Sequence, residues 1–191
     1  KVILGLLPVA HGTVQVYGSR PGARNDEIGY VPQHYDVNAT EAIRARVRTF
    51  VDDVIKPGET RIDGTGPEGA GEPLAGRERL DVLIEMRRAA QADGIWLPHM
   101  PEEWGGMGLG HVELAMVQAE AAKSYYGPWV FNCQAPDEGN MHTLLHWATD
   151  DQKERYLRPL CEGRTWSCFA MTEPEVAGSD PTLIQTSAYQ D

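Results

Sequence analysis

The chain has 191 residues, 41% of them hydrophobic and 24% charged, a balance that excludes a disordered or fibrous polymer and leaves room for one domain core or pieces of two. The formal net charge of −11, from 28 acidic and 17 basic residues without a basic cluster, repels a phosphate backbone and excludes nucleic acid and anionic membranes as expected partners. Three cysteines, Cys133, Cys161 and Cys168, form no CxxC pair and read as buried thiols of a reducing, cytoplasmic compartment.

The apolar run over residues 2–10 is broken by Gly5 and Pro8 and falls far short of the ~20 residues a bilayer span requires. It reads as the end of a buried helix stopped by Pro8. The start at Lys1, with no basic region or small-residue cleavage site, is expected to reflect truncation and not a secretory signal. Thr13 to Tyr17 alternates and is β-branched, residues 18–26 are turn-rich, and Ile28 to Val31 resumes a strand, so a short β-hairpin-like fragment is expected here.

From Thr40 the period changes to 3.6: Ile43, Val47, Phe50, Val51 and Val54 share one face of a predicted helix. Residues 56–76 collect Gly, Pro, Glu and Thr and predict a mobile surface loop. A second helix is expected over 77–92 with Leu80, Leu83, Ile84 and Arg87 at helical spacing, stopped by Asp93-Gly94. An irregular stretch over 95–110 follows, then a third helix over 112–126 and a fourth over 139–148 with Met141, Leu144 and Leu145 inward. Thr149-Asp150-Asp151-Gln152 has capping-box form and opens a fifth helix bearing Tyr156, Leu157 and Leu160. Residues 165–172 are apolar and β-prone and predict a strand.

That strand runs into Glu173-Pro174-Glu175-Val176-Ala177-Gly178-Ser179-Asp180. A strand end with free N–H groups, the Thr172 hydroxyl and a Gly-Ser pair suits a flat, polar-edged cofactor. An ordinary strand and turn uses the same residues and fits the pattern equally well. His142 and His146 stand four apart, a metal-ligand spacing, but no third ligand lies at useful spacing, so helix-surface or packing histidines and no metal are expected. Trp147, Trp166, Tyr125 and Tyr126 read as core and interface aromatics, and Glu102-Glu103 as a solvated turn.

Taken in order, residues 133–141, Asp151-Gln152-Lys153, Arg158-Pro159-Leu160, Glu162-Gly163 and Phe169-Ala170-Met171-Thr172-Glu173-Pro174 resemble the acyl-CoA dehydrogenase family, most of all its branch numbered ten and eleven in vertebrates. Pro101-Glu102-Glu103-Trp104-Gly105-Gly106 is similar to the family's Pro-Glu-Glu-Tyr-Gly-Gly segment. The resemblance covers about residues 40–191 and implies a mainly α fold: a helical N-terminal domain over 39–164, then over 165–191 the first strand of a middle β-barrel domain. It also implies FAD as cofactor, lying against Phe169 and Met171, with Thr172 on its pyrimidine edge and Gly178 and Ser179 near the pyrophosphate and the acyl thioester. Glu173 to Asp180 is one residue longer than in short- and medium-chain members, which leaves the register at 175–178 open.

The family's catalytic carboxylate sits in a C-terminal helical domain, and no residue of this chain matches it. No catalytic residue is therefore expected here. Acyl-CoA and an electron acceptor are the implied partners of the complete enzyme, and a homo-oligomer is expected only with the C-terminal domain. Separately, Ile3-Leu4-Gly5-Leu6-Leu7-Pro8, Gly12-Thr13-Val14, Gly18 and Ile28 to Gln33 resemble the ATP-binding subunit of zinc or manganese ABC transporters, over 1–38. By that resemblance Gln33 is the remnant of a Q-loop. The phosphate-binding loop and the signature motif are missing, so a nucleotide-binding subunit is the alternative reading and an inactive chimeric fragment a further one.

Overall fold

The computed structural model describes residues 13, 15, 19, 20, 37–66, 71–176, 178 and 180–189. The chain divides into two compact units, 1–37 and 38–191. The strand, turn and Gln33 readings of the first unit lie outside the described residues, apart from residues 13, 15, 19 and 20.

The second unit is helical. In chain order it holds α1 (Val37–Phe50), α2 (Lys56–Asp63), α3 (Gly76–Ala92), α4 (His111–Ala121), α5 (Gly127–Val130), α6 (Asp137–Trp147), α7 (Asp150–Gln152) and α8 (Arg158–Cys161). Two wide π-helical turns, Val51–Ile55 and Lys153–Leu157, fuse α1 to α2 and α7 to α8. Each ends two residues before a proline, Pro57 and Pro159. A proline inside a helix lacks the N–H its turn needs and pushes on the carbonyl four residues back. The chain answers by widening: Lys56 N–H donates to the Val51 carbonyl and Arg158 N–H to that of Lys153, each five residues back.

These local rules correct the reading of residues 56–76 as a loop. Lys56–Asp63 is helix, because Pro57 falls in its first turn, Ile62 is buried, and Gly64 closes it with φ 67°. Gly58 packs closely there: a Cβ would come within 2.2 Å of the Met86 sulfur on α3, which would have to shift. The third helix also differs, ending at Ala121 instead of running to Tyr126. Gly127 then passes so close to the Ala121 carbonyl that a Cβ would lie 1.9 Å from it, a sharp corner that a continuous helix cannot make.

The core gathers one face from each helix. Val47, Phe50 and Val51 of the first run, Val82, Met86 and Ala90 of α3, Val117 and Ala121 of α4, Met141 of α6 and Leu157 and Leu160 are all buried. Phe131 is fully buried and packs on Phe50 with ring centroids 5.7 Å apart. On α3 the inward face matches the predicted one only in part: Arg87 is buried and Leu80, Leu83 and Ile84 are half-buried, while Val82 and Met86, outside the predicted set, go inside. On α6, Met141 is buried and Leu144 and Leu145 pack partly against the core. The capping box is present, with Gln152 N–H donating to the Thr149 hydroxyl and Thr149 N–H to the Gln152 side chain.

Residues 165–172 pair with no strand among the described residues. A strand is stable only with a ladder partner, and here the segment leaves the helical body without one. Cys133 and Cys161 are buried as expected, but Cys168, on that segment, is exposed. Of the four aromatics read as core and interface residues, Tyr126 is buried, Trp147 and Tyr125 stand out in solvent and Trp166 is partly exposed. No helix among the described residues is long and apolar enough to cross a membrane.

Candidate functional site

The site is built where α3, the loop after it and the N-terminal end of α6 meet the segment that begins at Thr165. Two non-glycine residues there hold left-handed backbone, Leu97 (φ 51°) and Asn132 (φ 56°), and both are buried. Such conformations cost roughly 1–3 kcal/mol and persist only where neighbours dictate them. Leu97 N–H donates to the Phe131 carbonyl at 3.1 Å, and the Leu97 carbonyl accepts from Met100 and Met107 at 3.1 and 3.2 Å. Asn132 donates its side-chain amide to the Leu160 carbonyl at 3.0 Å and accepts from Arg87 at 3.1 Å.

Arg87 is the centre of this arrangement. Its side chain also donates to the Trp129 carbonyl at 2.5 Å and its guanidinium lies over the rings of Trp96 and Trp166, 4.8 and 5.3 Å from their centroids. Burial pushes its pKa down to about 10, opposed by the Asp137 carboxylate, so it remains a cation at neutral pH. Gly163 leaves room for the stack: its φ is 69° and a Cβ would meet the Trp96 ring at 2.8 Å. Trp96 in turn donates its indole N–H to the Cys161 carbonyl at 2.7 Å.

The buried carboxylate of Asp137, at the start of α6, ties down the next segment. It accepts from the Ser167 backbone N–H at 2.7 Å and from the Ser167 hydroxyl at 2.5 Å, and on its other oxygen from Gln134 at 2.5 Å. Asn140, one turn further on α6, donates to the Ser167 hydroxyl at 2.8 Å. Beside this anchor opens a cleft of about 490 Å³ whose lining includes Asn140, Leu144, Tyr156, Leu160 and Trp166.

Past Ser167 the chain turns outward. Phe169 is 66% exposed and Met171 43% exposed, with Thr172 and Gly178 exposed as well. Thus four of the five predicted flavin-contacting residues share one uncovered segment, while Ser179 lies outside the described residues, as does Gln33. Glu173 folds the following chain back on itself, accepting from the backbone N–H groups of Gln185 at 2.9 Å and Thr186 at 2.7 Å. Glu102 and Glu103 are exposed on a single 3-10 turn, Glu102–Trp104. Sequence reasoning missed Asp137, Asn132 and the buried role of Arg87, because each acts on a residue 30–45 positions away; a charged residue at an inward position of α3 was the one available signal.

His142 also has a neighbour that spacing does not reveal. His99, in the loop after α3, points Nδ1 at His142 Nε2 across 3.2 Å, while His146 only stacks on His142 at a centroid distance of 6.3 Å. The remaining thiols are quiet: burial pushes both Cys133 and Cys161 up to about 12.

Residues 38–164 match the family model described as acyl-CoA dehydrogenase, N-terminal domain. The chain is 34% identical over 157 residues to acyl-CoA dehydrogenase family member 11 of Homo sapiens, a match covering 79% of this chain and 19% of that protein. It is 38% identical over 162 residues to acyl-CoA dehydrogenase family member 10 of Mus musculus, covering 81% of this chain and 15% of the relative. The chain therefore spans less than a fifth of the length of these two relatives. A solved structure assigned to the acyl-CoA dehydrogenases, from Mycobacterium abscessus, superposes with a TM-score of 0.64 at 33% identity, over 80% of this chain and 38% of that one. With two thirds of its length matched by that domain and a helical fold in agreement, the chain belongs to the acyl-CoA dehydrogenase family.

Proposed function

We propose that this chain is the N-terminal part of a flavin-dependent enzyme that dehydrogenates acyl-CoA thioesters between their α and β carbons. In this reading 39–164 is the helical domain, 165–191 opens a middle β-domain, and 1–38 is a separate segment. The observation that carries it is the uncovered pair Phe169 and Met171, next to the Thr172 hydroxyl, on a segment pinned to the body at Ser167. Large apolar side chains held out by a fixed anchor, with a hydroxyl beside them, suit a flat ring with one apolar face and one polar edge.

FAD supplies the hydride acceptor when bound. Phe169 and Met171 would lie against its ring, the Thr172 hydroxyl would donate to its pyrimidine edge, and Gly178 and Ser179 would approach the pyrophosphate and thioester. The task of this chain is positioning: Asp137 and Asn140 fix Ser167, Arg87 fixes Trp166, and the predicted flavin residues follow, the first three within five positions. In this reading none of the carboxylates among the described residues takes the proton. Glu102 and Glu103 face solvent, Asp137 is bound to Ser167 and Gln134, and Glu120 is enclosed by three cations. In this reading the base and the oligomer contacts belong to later domains and the location is cytoplasmic, a reading the free thiols support.

The test is turnover. The purified 191-residue chain, supplied with FAD, a series of acyl-CoA esters and a dye acceptor, is expected to reduce no dye, and steady reduction would overturn the assignment of the base elsewhere. In a longer form that retains flavin, Thr172→Val and Phe169→Ala are expected to weaken flavin retention; unchanged retention in both would remove this segment from the flavin site.

A further inference from the structure

We propose that His99, Glu138 and His142 form a binding site for one zinc-class divalent cation. The three side chains offer one ligand atom each, all within 4.8 Å of one another. Glu138 and His142 stand one turn apart on α6, which puts both on one face of the helix. His99 arrives from the loop after α3, 43 positions before His142.

The geometry suits a metal in three respects. First, His99 Nε2 lies 3.1 Å from the Asn132 carbonyl, which can only accept, so Nε2 carries the proton and Nδ1 presents its lone pair toward His142. A backbone carbonyl that fixes the far nitrogen of a ligand imidazole is the usual outer support of a metal-bound histidine. Second, the 3.2 Å between His99 Nδ1 and His142 Nε2 is close to the spacing of about 3.3 Å between two tetrahedral ligands with metal–nitrogen bonds of about 2.0–2.1 Å. Third, the Glu138 carboxylate is oriented by Gln118, whose amide donates to both oxygens at 3.3 and 3.4 Å.

Two imidazoles and one carboxylate favour zinc, cobalt or nickel over magnesium or calcium, which take oxygen donors. Water would complete the coordination. Bound metal would join the strained loop at Leu97 to α6, whose first residue is the Asp137 that anchors Ser167.

The experiment uses the 191-residue chain, stripped of metal and titrated with Zn²⁺ against a chromogenic chelator, with Co²⁺ absorption as a second readout of ligand geometry. One equivalent of zinc is expected to bind, with Co²⁺ giving the intense visible bands of a tetrahedral site and excess Mg²⁺ failing to compete. His142→Gln and Glu138→Gln, both at partly exposed positions, are each expected to weaken binding at least about tenfold. His146→Gln is expected to leave it unchanged. No binding by the parent chain would overturn the proposal, as would binding that survives the combined His142→Gln and Glu138→Gln change in a chain whose circular dichroism is unaltered.

Discussion

Replacing Glu120 by Gln tests how the first helix is held to the fourth. The Glu120 carboxylate is 4% exposed and takes three cations: Arg44 at 2.9 Å and Arg48 at 3.0 Å from α1, and Lys123 at 2.5 Å just after α4. An exposed ion pair contributes about 0.2–1 kcal/mol, and breaking a buried one costs about 3–5 kcal/mol. The cations here are 32%, 44% and 50% exposed, so water screens each pair and the loss falls between those limits, at about 2–3 kcal/mol. For a unit of this size that lowers the melting temperature by roughly 4–12 °C.

The pH dependence isolates the charge. Hydrogen bonds from Arg48, then Lys123 and Arg44, hold the Glu120 carboxyl well below its ordinary 4.5. The unfolded chain takes up a proton near 4.5 while the folded chain does not, so this stabilisation is whole above that pH and is lost as pH falls below it. Urea denaturation of the parent chain and Glu120→Gln, followed from pH 7 downward, is expected to show a gap of about 2–3 kcal/mol that closes in acid. A gap as wide at pH 3 as at pH 7 would refute the electrostatic account and place the effect in packing.

Gly139 lies inside α6 with open space for 4 Å around the point where a Cβ would stand, so Gly139→Ala is expected to stabilise by about 0.5–1 kcal/mol in urea melts. Gly106→Ala is expected to do the opposite, since a Cβ there would lie 2.0 Å from the Met100 carbonyl oxygen. Iodoacetamide at neutral pH is expected to label Cys168 alone, read by mass spectrometry, because burial keeps Cys133 and Cys161 protonated up to about 12; labelling of either would contradict their burial. Asp137→Ala removes two of the three hydrogen bonds that hold Ser167, leaving the one from Asn140, and is expected to speed tryptic cleavage after Arg164 several-fold, while an unchanged rate would show that the segment is held elsewhere.

Much of the helical unit was legible from period and caps. Val47, Phe50 and Val51 fall on the face their spacing predicts, and Thr149 and Gln152 make the capping box their order spells out. Residues 56–63 were not legible as helix, because Pro57 and Gly58 are breakers by composition and helix-compatible only by place: one in a first turn, the other under Met86. The full burial of a charged side chain on α3 has a related cause. Arg87 goes inside because Asn132, Trp129 and two indoles from distant segments receive it, and no local pattern carries those partners. His99 was invisible as a partner of His142 for the same reason, whereas the reading of the segment bearing Phe169, Met171 and Thr172 as a flavin site comes from its likeness to a family motif.

The most direct test of the central claim is a single long read of the source gene across the codons for residues 36–40 and onward past that for Asp191. The account predicts an open frame that continues into a β-rich stretch and then a helical domain bearing a carboxylate base. A frame that stops after Asp191, or continues into an unrelated sequence, would contradict the assignment of this chain to a flavin-dependent acyl-CoA dehydrogenase.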